Sequence, residues 1–81
     1  MFTTTYSRQA ANTLRKIPDP YRKRIKAAID NLPNGKDIKK LTGQTGYRMR
    51  IGDWRIIYDI HHDRLVIEVI KIGPRGEVYK H

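Results

Sequence analysis

Residues 47–58 read Tyr-Arg-Met-Arg-Ile-Gly-Asp-Trp-Arg-Ile-Ile-Tyr, the most regular pattern in the chain. Apolar and charged residues alternate on both sides of Gly52-Asp53, as expected for two strands that each bury one face. Glycine at the first central position of a two-residue loop suits a type II′ turn, which joins antiparallel strands. The stretch therefore predicts a β-hairpin with strands at Tyr47–Ile51 and Trp54–His61.

The same alternation divides the side chains of this hairpin between two faces. The apolar face, which we expect to form part of the core, comprises Tyr47, Met49, Ile51, Trp54, Ile56, Tyr58 and Ile60. Arg48, Arg50 and Arg55 fall on the opposite face. Like charges on neighbouring strands are unfavourable unless an anion binds beside them. We interpret the three arginines as an anion-binding site, the alternative being solvated side chains of a half-exposed sheet.

The segment before the hairpin predicts one strand and two helices. Thr3–Tyr6 favours a strand because β-branched and aromatic residues suit a pleated surface. Ser7 is a good N-cap for a helix from Arg8 to about Ile17, and a Pro-Asp-Pro sequence then ends that helix. Tyr21–Leu32 has apolar residues at the spacing of an amphipathic helix. The outer face of this second helix is basic.

The remaining segments complete a mainly antiparallel sheet. Lys36–Gly46 is predicted to be a loop, with Leu41 as a core anchor. A two-residue turn at His62-Asp63 is expected to lead into a strand at Leu65–Ile72. Residues 73–76 then predict a turn before a short strand at Glu77–Lys80. The expected fold is α+β: an N-terminal strand, a helical hairpin, and a four-stranded mainly antiparallel sheet packed on the helices, its other face open.

Composition limits the classes of protein that fit. At 81 residues the chain is expected to form one domain, residues 1–81, with a modest core. There are 17 Lys+Arg and 8 Asp+Glu, a formal net charge of +9. Such an excess predicts a polyanionic or acidic partner, although a solvated basic surface is the alternative.

The same sequence argues against metal sites and membrane insertion. There are no cysteines and no cluster of His, Asp and Glu with metal-ligand spacing, so no metal is predicted. No segment approaches membrane-spanning length, and the first residues lack the apolar run of a signal peptide. We expect a cytoplasmic protein that does not enter the membrane.

Three motifs carry a family resemblance: L-x-G at 41–43, Y-R-x-R-x-G-D-W-R-x-I-Y at 47–58, and I-x-x-R-x-E-V-Y at 72–79. Together they resemble the RelE/ParE superfamily of toxins, and the similarity runs nearly end to end. The resemblance implies a RelE-like toxin domain from a type II toxin–antitoxin pair. In the RelE branch it implies an endoribonuclease that cleaves mRNA in the A site of the 70S ribosome, uses no cofactor, and is inhibited by a cognate antitoxin.

The resemblance also implies roles for individual residues. Arg55 matches an arginine that contacts the scissile phosphate, and Arg75 matches a second catalytic arginine. Tyr79 matches a tyrosine that orients or activates the attacking ribose hydroxyl. Arg48 and Arg50 match basic positions that are lysines in some members, and arginine, unlike lysine, does not give up its proton.

Further RNA contacts and the proton acceptor are inferred from the chemistry of cleavage. The loop residues Lys36, Lys39 and Lys40 are expected to bind the RNA backbone together with the basic helix. Tyr79 is the preferred proton acceptor, because nearby guanidinium groups favour its phenolate form. Glu77 and His81 carry the more usual base chemistry and remain candidates.

Two other functions fit the same sequence features. A ParE-like member of this fold inhibits DNA gyrase and needs no RNA chemistry. A small basic RNA-binding module without toxicity would also account for the net charge. Neither explains why arginines and a tyrosine are concentrated on one face.

Overall fold

The computed structural model describes residues 1–75 of the chain. Two helices follow the first strand, and the other strands come after them. The elements are β1 (Thr3–Tyr6), α1 (Arg8–Lys16), α2 (Tyr21–Asp30), β2 (Ile38–Lys40), β3 (Tyr47–Ile51), β4 (Trp54–His61) and β5 (Val66–Pro74). None of the helices in this part of the chain is long and apolar enough to cross a membrane.

The strands form one five-stranded sheet in the order β1-β5-β4-β3-β2. β1 runs parallel to β5, and every other neighbouring pair is antiparallel. The predicted α+β class is therefore confirmed. We call the face that packs on the helices the core face, and the opposite face the open face.

The core lies between the two helices and the core face of the sheet. Its buried side chains are Ala10, Leu14, Ile17, Ile25, Ile29, Leu32, Met49, Ile56, Tyr58, Ile67, Val69 and Ile72. The predicted apolar face of the hairpin is confirmed at its centre, because Met49, Ile56 and Tyr58 are at most 1% exposed.

The second helix differs from its prediction at both ends. Tyr21 was expected in the apolar stripe but is 51% exposed. As the first residue of α2, its side chain tilts toward the helix N-terminus and away from the packed turns that follow. The helix ends at Asp30 and not at Leu32, because Pro33 disfavours helical geometry at the residue before it. Leu32 is nevertheless buried.

The prediction of a loop throughout Lys36–Gly46 is wrong, because Ile38–Lys40 forms strand β2. It pairs with β3, with Ile38 opposite Met49 and Lys39 opposite Arg48. Ile38 packs against the core while the two lysines stay exposed. Partial burial of Ile38 and pairing with β3 stabilise this short strand.

The connection between β4 and β5 is longer than the predicted two-residue turn. His61 pairs with Val66, so residues 62–65 form the loop. Leu65 was expected to begin the strand, but it has φ 52° and is 45% exposed. This left-handed backbone conformation turns the chain before β5 begins.

Strand β5 contains a bulge and extends further than predicted. Tyr58 pairs with Val69 and Ile57 pairs with Lys71, which leaves Ile70 as the extra residue. The strand continues through Gly73 and Pro74, which were expected to belong to a turn. The predicted strand Glu77–Lys80 lies outside the described residues.

Side chains at the start of α1 cover the edge of β5 that β1 does not reach. β1 pairs with β5 only as far as Val69. Beyond it, the Ser7 hydroxyl donates to the carbonyl of Ile70 at 2.6 Å. The Gln9 amide donates to the carbonyl of Ile72 at 3.0 Å and accepts from its N–H at 3.1 Å. Pro74 has no N–H to leave unpaired on this edge.

Replacing Gln9 with alanine tests this substitute for strand pairing. The change leaves the N–H and the carbonyl of Ile72 without their partner. We expect Gln9→Ala to lower the free energy of unfolding by about 1–3 kcal/mol, measured by urea denaturation. The neighbouring exposed Arg8→Ala is the control and is expected to change it by less than about 0.5 kcal/mol. Equal effects of the two substitutions would contradict this role of Gln9.

Candidate functional site

The register of the sheet brings basic residues from four strands together on the open face. Arg48 on β3 lies between Lys39 on β2 and Ile57 on β4, and Ile57 lies opposite Lys71 on β5. Residues paired across neighbouring strands project to the same face. This row therefore places three cationic side chains on the face that the helices leave uncovered.

The next row contains two arginines directly opposite each other. Arg50 on β3 pairs with Arg55 on β4, and Arg55 pairs with Gly73 on β5. Directly opposite residues have Cβ atoms about 4.5–5.5 Å apart, and like charges at that spacing are destabilising. We call the five cationic residues of the two rows the basic end of the open face: Lys39, Arg48, Arg50, Arg55 and Lys71.

A carboxylate contacts this basic end at Arg50. The Nε of Arg50 donates to Oδ2 of Asp37 at 2.8 Å, and the backbone N–H of Arg50 donates to the carbonyl of Asp37 at 3.1 Å. The hydrogen bond from Arg50 holds the pKa of Asp37 below its ordinary value, and the charges of Arg48 and Arg55 act in the same direction. All three arginines thus act electrostatically on one acid.

The turn between β3 and β4 anchors both Arg55 and Arg75. Nη1 of Arg55 donates to the carbonyl of Gly52 at 2.8 Å and to that of Trp54 at 2.9 Å. Gly52 has φ 56°, a conformation that favours glycine. The backbone N–H of Arg75 donates to the carbonyl of Asp53 at 2.8 Å. Consecutive turn residues therefore hold the Arg55 side chain and the Arg75 backbone.

A shallow basic cavity of about 360 Å³ lies beside these rows. Its lining comprises Lys39, Lys40, Leu41, Thr42, Arg48 and Arg50. Four of the six lining residues are cationic, and Thr42 adds a hydroxyl. Guanidinium and ammonium groups that surround an open cavity suit phosphate oxygens, which both types of donor bind well.

The other end of the open face carries acidic residues. Asp59 on β4 lies opposite Glu68 on β5, and Nε2 of His61 lies 2.9 Å from Oε1 of Glu68. An anionic ligand is attracted to the basic end and repelled by Asp59 and Glu68. The open face is therefore polarised along its strands.

The tyrosines of the hairpin belong to the core and not to this site. Tyr47 and Tyr58 stack with ring centroids 5.5 Å apart and an interplanar angle of 20°. Burial, with a smaller contribution from Tyr47, raises the pKa of Tyr58 to about 12. Neither phenol is placed to take a proton from a ligand on the open face.

Of the other residues predicted to belong to the site, two lysines lie within residues 1–75 and three residues lie outside that range. Lys36 is exposed in the segment before β2, and Lys40 lines the basic cavity. Tyr79, Glu77 and His81 lie outside the described residues. Across residues 1–75, no three His, Cys, Asp or Glu side chains form a group that could hold a metal ion.

Sequence reasoning missed two residues of the site, Asp37 and Lys71. Asp37 lies in the segment that was predicted to be a loop, and its link to Arg50 depends on the unpredicted pairing of β2. Lys71 faces the open side only because of the bulge at Ile70. The one sequence signal for Asp37 is its position shortly after Asn34-Gly35, in a segment that requires left-handed conformations.

We expect Arg48→Gln to weaken binding of a short single-stranded RNA and to lower its dependence on salt. Loss of one phosphate contact should reduce the slope of log K against log salt by about 0.7. The measurement is fluorescence anisotropy between about 50 and 200 mM salt.

Arg64→Gln is the charge-matched control for Arg48→Gln. Arg64 lies in the loop of residues 62–65, and together with His61 and Glu68 it lines a separate cavity toward the acidic end of the open face. We expect this control to leave the slope close to that of the unmodified chain. An equal loss for both substitutions would mean that RNA does not prefer the basic end.

Comparison with known proteins identifies relatives along nearly the whole chain. The model of a family described as ParE toxin of type II toxin–antitoxin system, parDE, matches residues 5–79. Toxin RelE3 of Methanocaldococcus jannaschii is 30% identical, with 91% of this chain and 91% of the relative covered. Putative toxin RelE1 of the same organism is 33% identical, with 98% and 96% covered.

A solved structure shares both the fold and the sequence similarity. The archaeal RelE–RelB complex from Pyrococcus horikoshii OT3 contains a chain that matches with a TM-score of 0.80 and 30% identity, and 94% of this chain and 97% of that chain are covered. Family, relatives and structure agree with the motifs at residues 41–43, 47–58 and 72–79. The chain therefore belongs to the RelE/ParE superfamily of toxins of type II toxin–antitoxin systems.

Proposed function

We propose that this toxin is a ribosome-dependent endoribonuclease, which cleaves mRNA in the ribosomal A site by attack of the ribose 2′-OH and so inhibits translation. The observation that carries the proposal is the pairing of Arg50 with Arg55 across β3 and β4, beside the turn that also holds Arg75. Guanidinium groups concentrated in this way repel one another and attract anions, and a phosphodiester in its transition state is such an anion.

The chemistry requires charge stabilisation more than a protein nucleophile. In this reaction the 2′-oxygen attacks the adjacent phosphorus, the bond to the 5′-oxygen of the next nucleotide breaks, and a 2′,3′-cyclic phosphate forms. The phosphoryl oxygens gain negative charge in the transition state. Arg55 and Arg75 are proposed to bind these oxygens, because guanidinium groups donate two parallel hydrogen bonds to phosphate.

Proton transfer is proposed to fall to a residue after Arg75. Arginine does not lose its proton, and Asp37 is a poor base because Arg50 holds its pKa below the ordinary value. Tyr79 is the preferred acceptor of the 2′-OH proton, with Glu77 and His81 as the other candidates. The ribosome is proposed to supply much of the rate by orienting the message, since positioning alone contributes strongly to such reactions.

The proposed partners are the 70S ribosome with its mRNA and a cognate antitoxin, and the proposed location is the cytoplasm. The exposed basic residues of α2 suit the backbone of ribosomal RNA. These residues are Arg22, Lys23, Arg24 and Lys26. The similar chain from Pyrococcus horikoshii was solved in a RelE–RelB complex. We propose that an antitoxin segment with acidic side chains covers the basic end of the open face.

Inhibition of DNA gyrase is a second candidate function, favoured by the match to the family described as ParE toxin. Induction of the protein in a bacterial host separates the two. Cuts within translated codons that disappear when initiation is blocked support ribosome-dependent cleavage. Induction of the DNA-damage response without such cuts supports the gyrase target and contradicts the proposed function.

We expect Arg75→Ala to abolish growth arrest and to lower mRNA cleavage on purified ribosomes by about 10²–10³-fold, the cost of removing one donor to a developing oxyanion. Arg55→Ala is expected to act similarly. Arg64→Ala removes the same charge outside the site and is expected to leave cleavage unchanged. If Arg75→Ala and Arg55→Ala both remain fully toxic, the site is misplaced.

We expect Tyr79→Phe to remove cleavage while ribosome and antitoxin binding persist, because the substitution deletes only a hydroxyl. Glu77→Gln and His81→Gln are the matched variants for the two other candidates. Single-turnover cleavage on programmed ribosomes distinguishes the three. If Tyr79→Phe keeps full activity and one of the other two variants loses it, the residue changed in that variant is the proton acceptor.

A further inference from the structure

Asp37 is an acid in a place where RNA binding alone disfavours one. Its carboxylate lies at the basic end, where it accepts a hydrogen bond from Nε of Arg50 at 2.8 Å. A carboxylate beside a phosphate-binding surface repels the ligand and neutralises one of the cations. Asp37 therefore needs an explanation other than the attraction of RNA to the free site.

Fold stability does not account for Asp37 either. Its side chain is 42% exposed and that of Arg50 is 48% exposed, and ion pairs at such exposure contribute little to stability. The residue also has φ 58°, a left-handed conformation that is uncommon outside glycine and is best tolerated by Asn and Asp. The backbone is thus held in a special conformation that aims a short acid at one guanidinium group.

Asp37 accepts two hydrogen bonds from Arg50, and it lies on the opposite side of β3 from Arg55. The carbonyl of Asp37 accepts from the backbone N–H of Arg50 at 3.1 Å, while the carboxylate takes Nε. A guanidinium group engaged at Nε has its plane and direction set by that bond. Arg55 lies on the other side of β3, so the bond to Asp37 and the repulsion from Arg55 both direct the Arg50 guanidinium group toward β2.

We infer that Asp37 is a positioning residue, which fixes the direction of the Arg50 guanidinium group so that it meets the phosphate in the transition state. The inference rests on the proposed function. Asp37 touches neither substrate nor reacting atoms and acts through Arg50. It accordingly lowers the affinity of the free site for RNA slightly and raises the rate of cleavage.

Asp37→Asn and Asp37→Gly form a graded test on the full-length chain. Asparagine tolerates the same backbone conformation and keeps a neutral, weaker hydrogen bond, whereas glycine removes the bond without backbone strain. We expect single-turnover cleavage of ribosome-bound mRNA to fall about tenfold or more in Asp37→Gly and less in Asp37→Asn. Affinity for a short single-stranded RNA should stay equal or increase.

Asp63→Asn is the control for the change in charge. Asp63 is exposed in the loop of residues 62–65, so its removal adds the same net charge away from the basic end. We expect it to leave cleavage unchanged. In an Arg50→Ala background, Asp37→Gly is expected to have no further effect on cleavage, since the residue it positions is gone.

Three results would overturn the inference: unchanged or faster cleavage in Asp37→Gly, a full additional loss in the Arg50→Ala background, or a fall in RNA affinity as large as the fall in rate. Nuclear magnetic resonance of arginine Nε–H groups gives a readout independent of activity. One Nε–H that is protected from exchange should disappear in Arg50→Ala and in Asp37→Gly alike. If the unmodified toxin fails to cleave on ribosomes, the proposed function fails, whereas normal cleavage by Asp37→Gly overturns only the role of Asp37.

Discussion

The bulge at Ile70 determines which side chains at the end of β5 face the core and which face the open side, where the candidate site lies. Before it, Ile67 and Val69 face the core. Strict alternation would then bury Lys71 and expose Ile72, since side chains change face at every residue. The extra residue reverses this outcome: Ile72 is fully buried and Lys71 pairs with Ile57 on the open face. Avoiding a buried lysine and gaining a buried isoleucine both favour the bulge.

Ser7 and Gln9 support the bulge by forming hydrogen bonds with the backbone of Ile70 and Ile72, so the start of α1 stabilises the strand that leads to Arg75.

The open face gathers like charges that the fold itself does not need. Arg50 opposite Arg55 opposes folding, and the hairpin tolerates the pair because its other face buries Met49, Ile56 and Tyr58. Local acceptors reduce the repulsion, namely the carbonyls of Gly52 and Trp54 for Arg55 and the carboxylate of Asp37 for Arg50. Each acceptor is also directional, so the contacts that make the charges tolerable also orient them.

The hairpin was predictable because apolar residues recur at every second position of Tyr47–Ile51 and of residues 54–60, which is enough to define its core face. Strand β2 was not predictable in this way, because three residues show no period and its pairing partner, β3, lies several residues further along the chain. The start of β5 was predicted one residue too early, because Leu65 is apolar but adopts a left-handed conformation with its side chain exposed. Lys71 was missed because the alternation of apolar residues changes phase at Ile70, which the predicted regular strand Leu65–Ile72 did not include, and Asp37 was missed because its contact depends on β2. For Tyr79, Glu77 and His81, which lie beyond the described residues, the roles remain predictions from the motif and from chemistry.

Arginine at positions 48 and 50 has a consequence for how the proposed reaction is divided among residues. A lysine in such a cluster can lose its proton and serve as a base, whereas arginine stays charged at any relevant pH. The basic end of this chain is therefore suited to stabilising charge alone, and proton transfer must come from elsewhere. The environment of a phenol decides whether it can take that role: burial raises the pKa of Tyr58 to about 12 on the core face, whereas positive charge on the open face favours a phenolate. A tyrosine is therefore suited to proton transfer in the proposed reaction only where its phenol lies beside such positive charge.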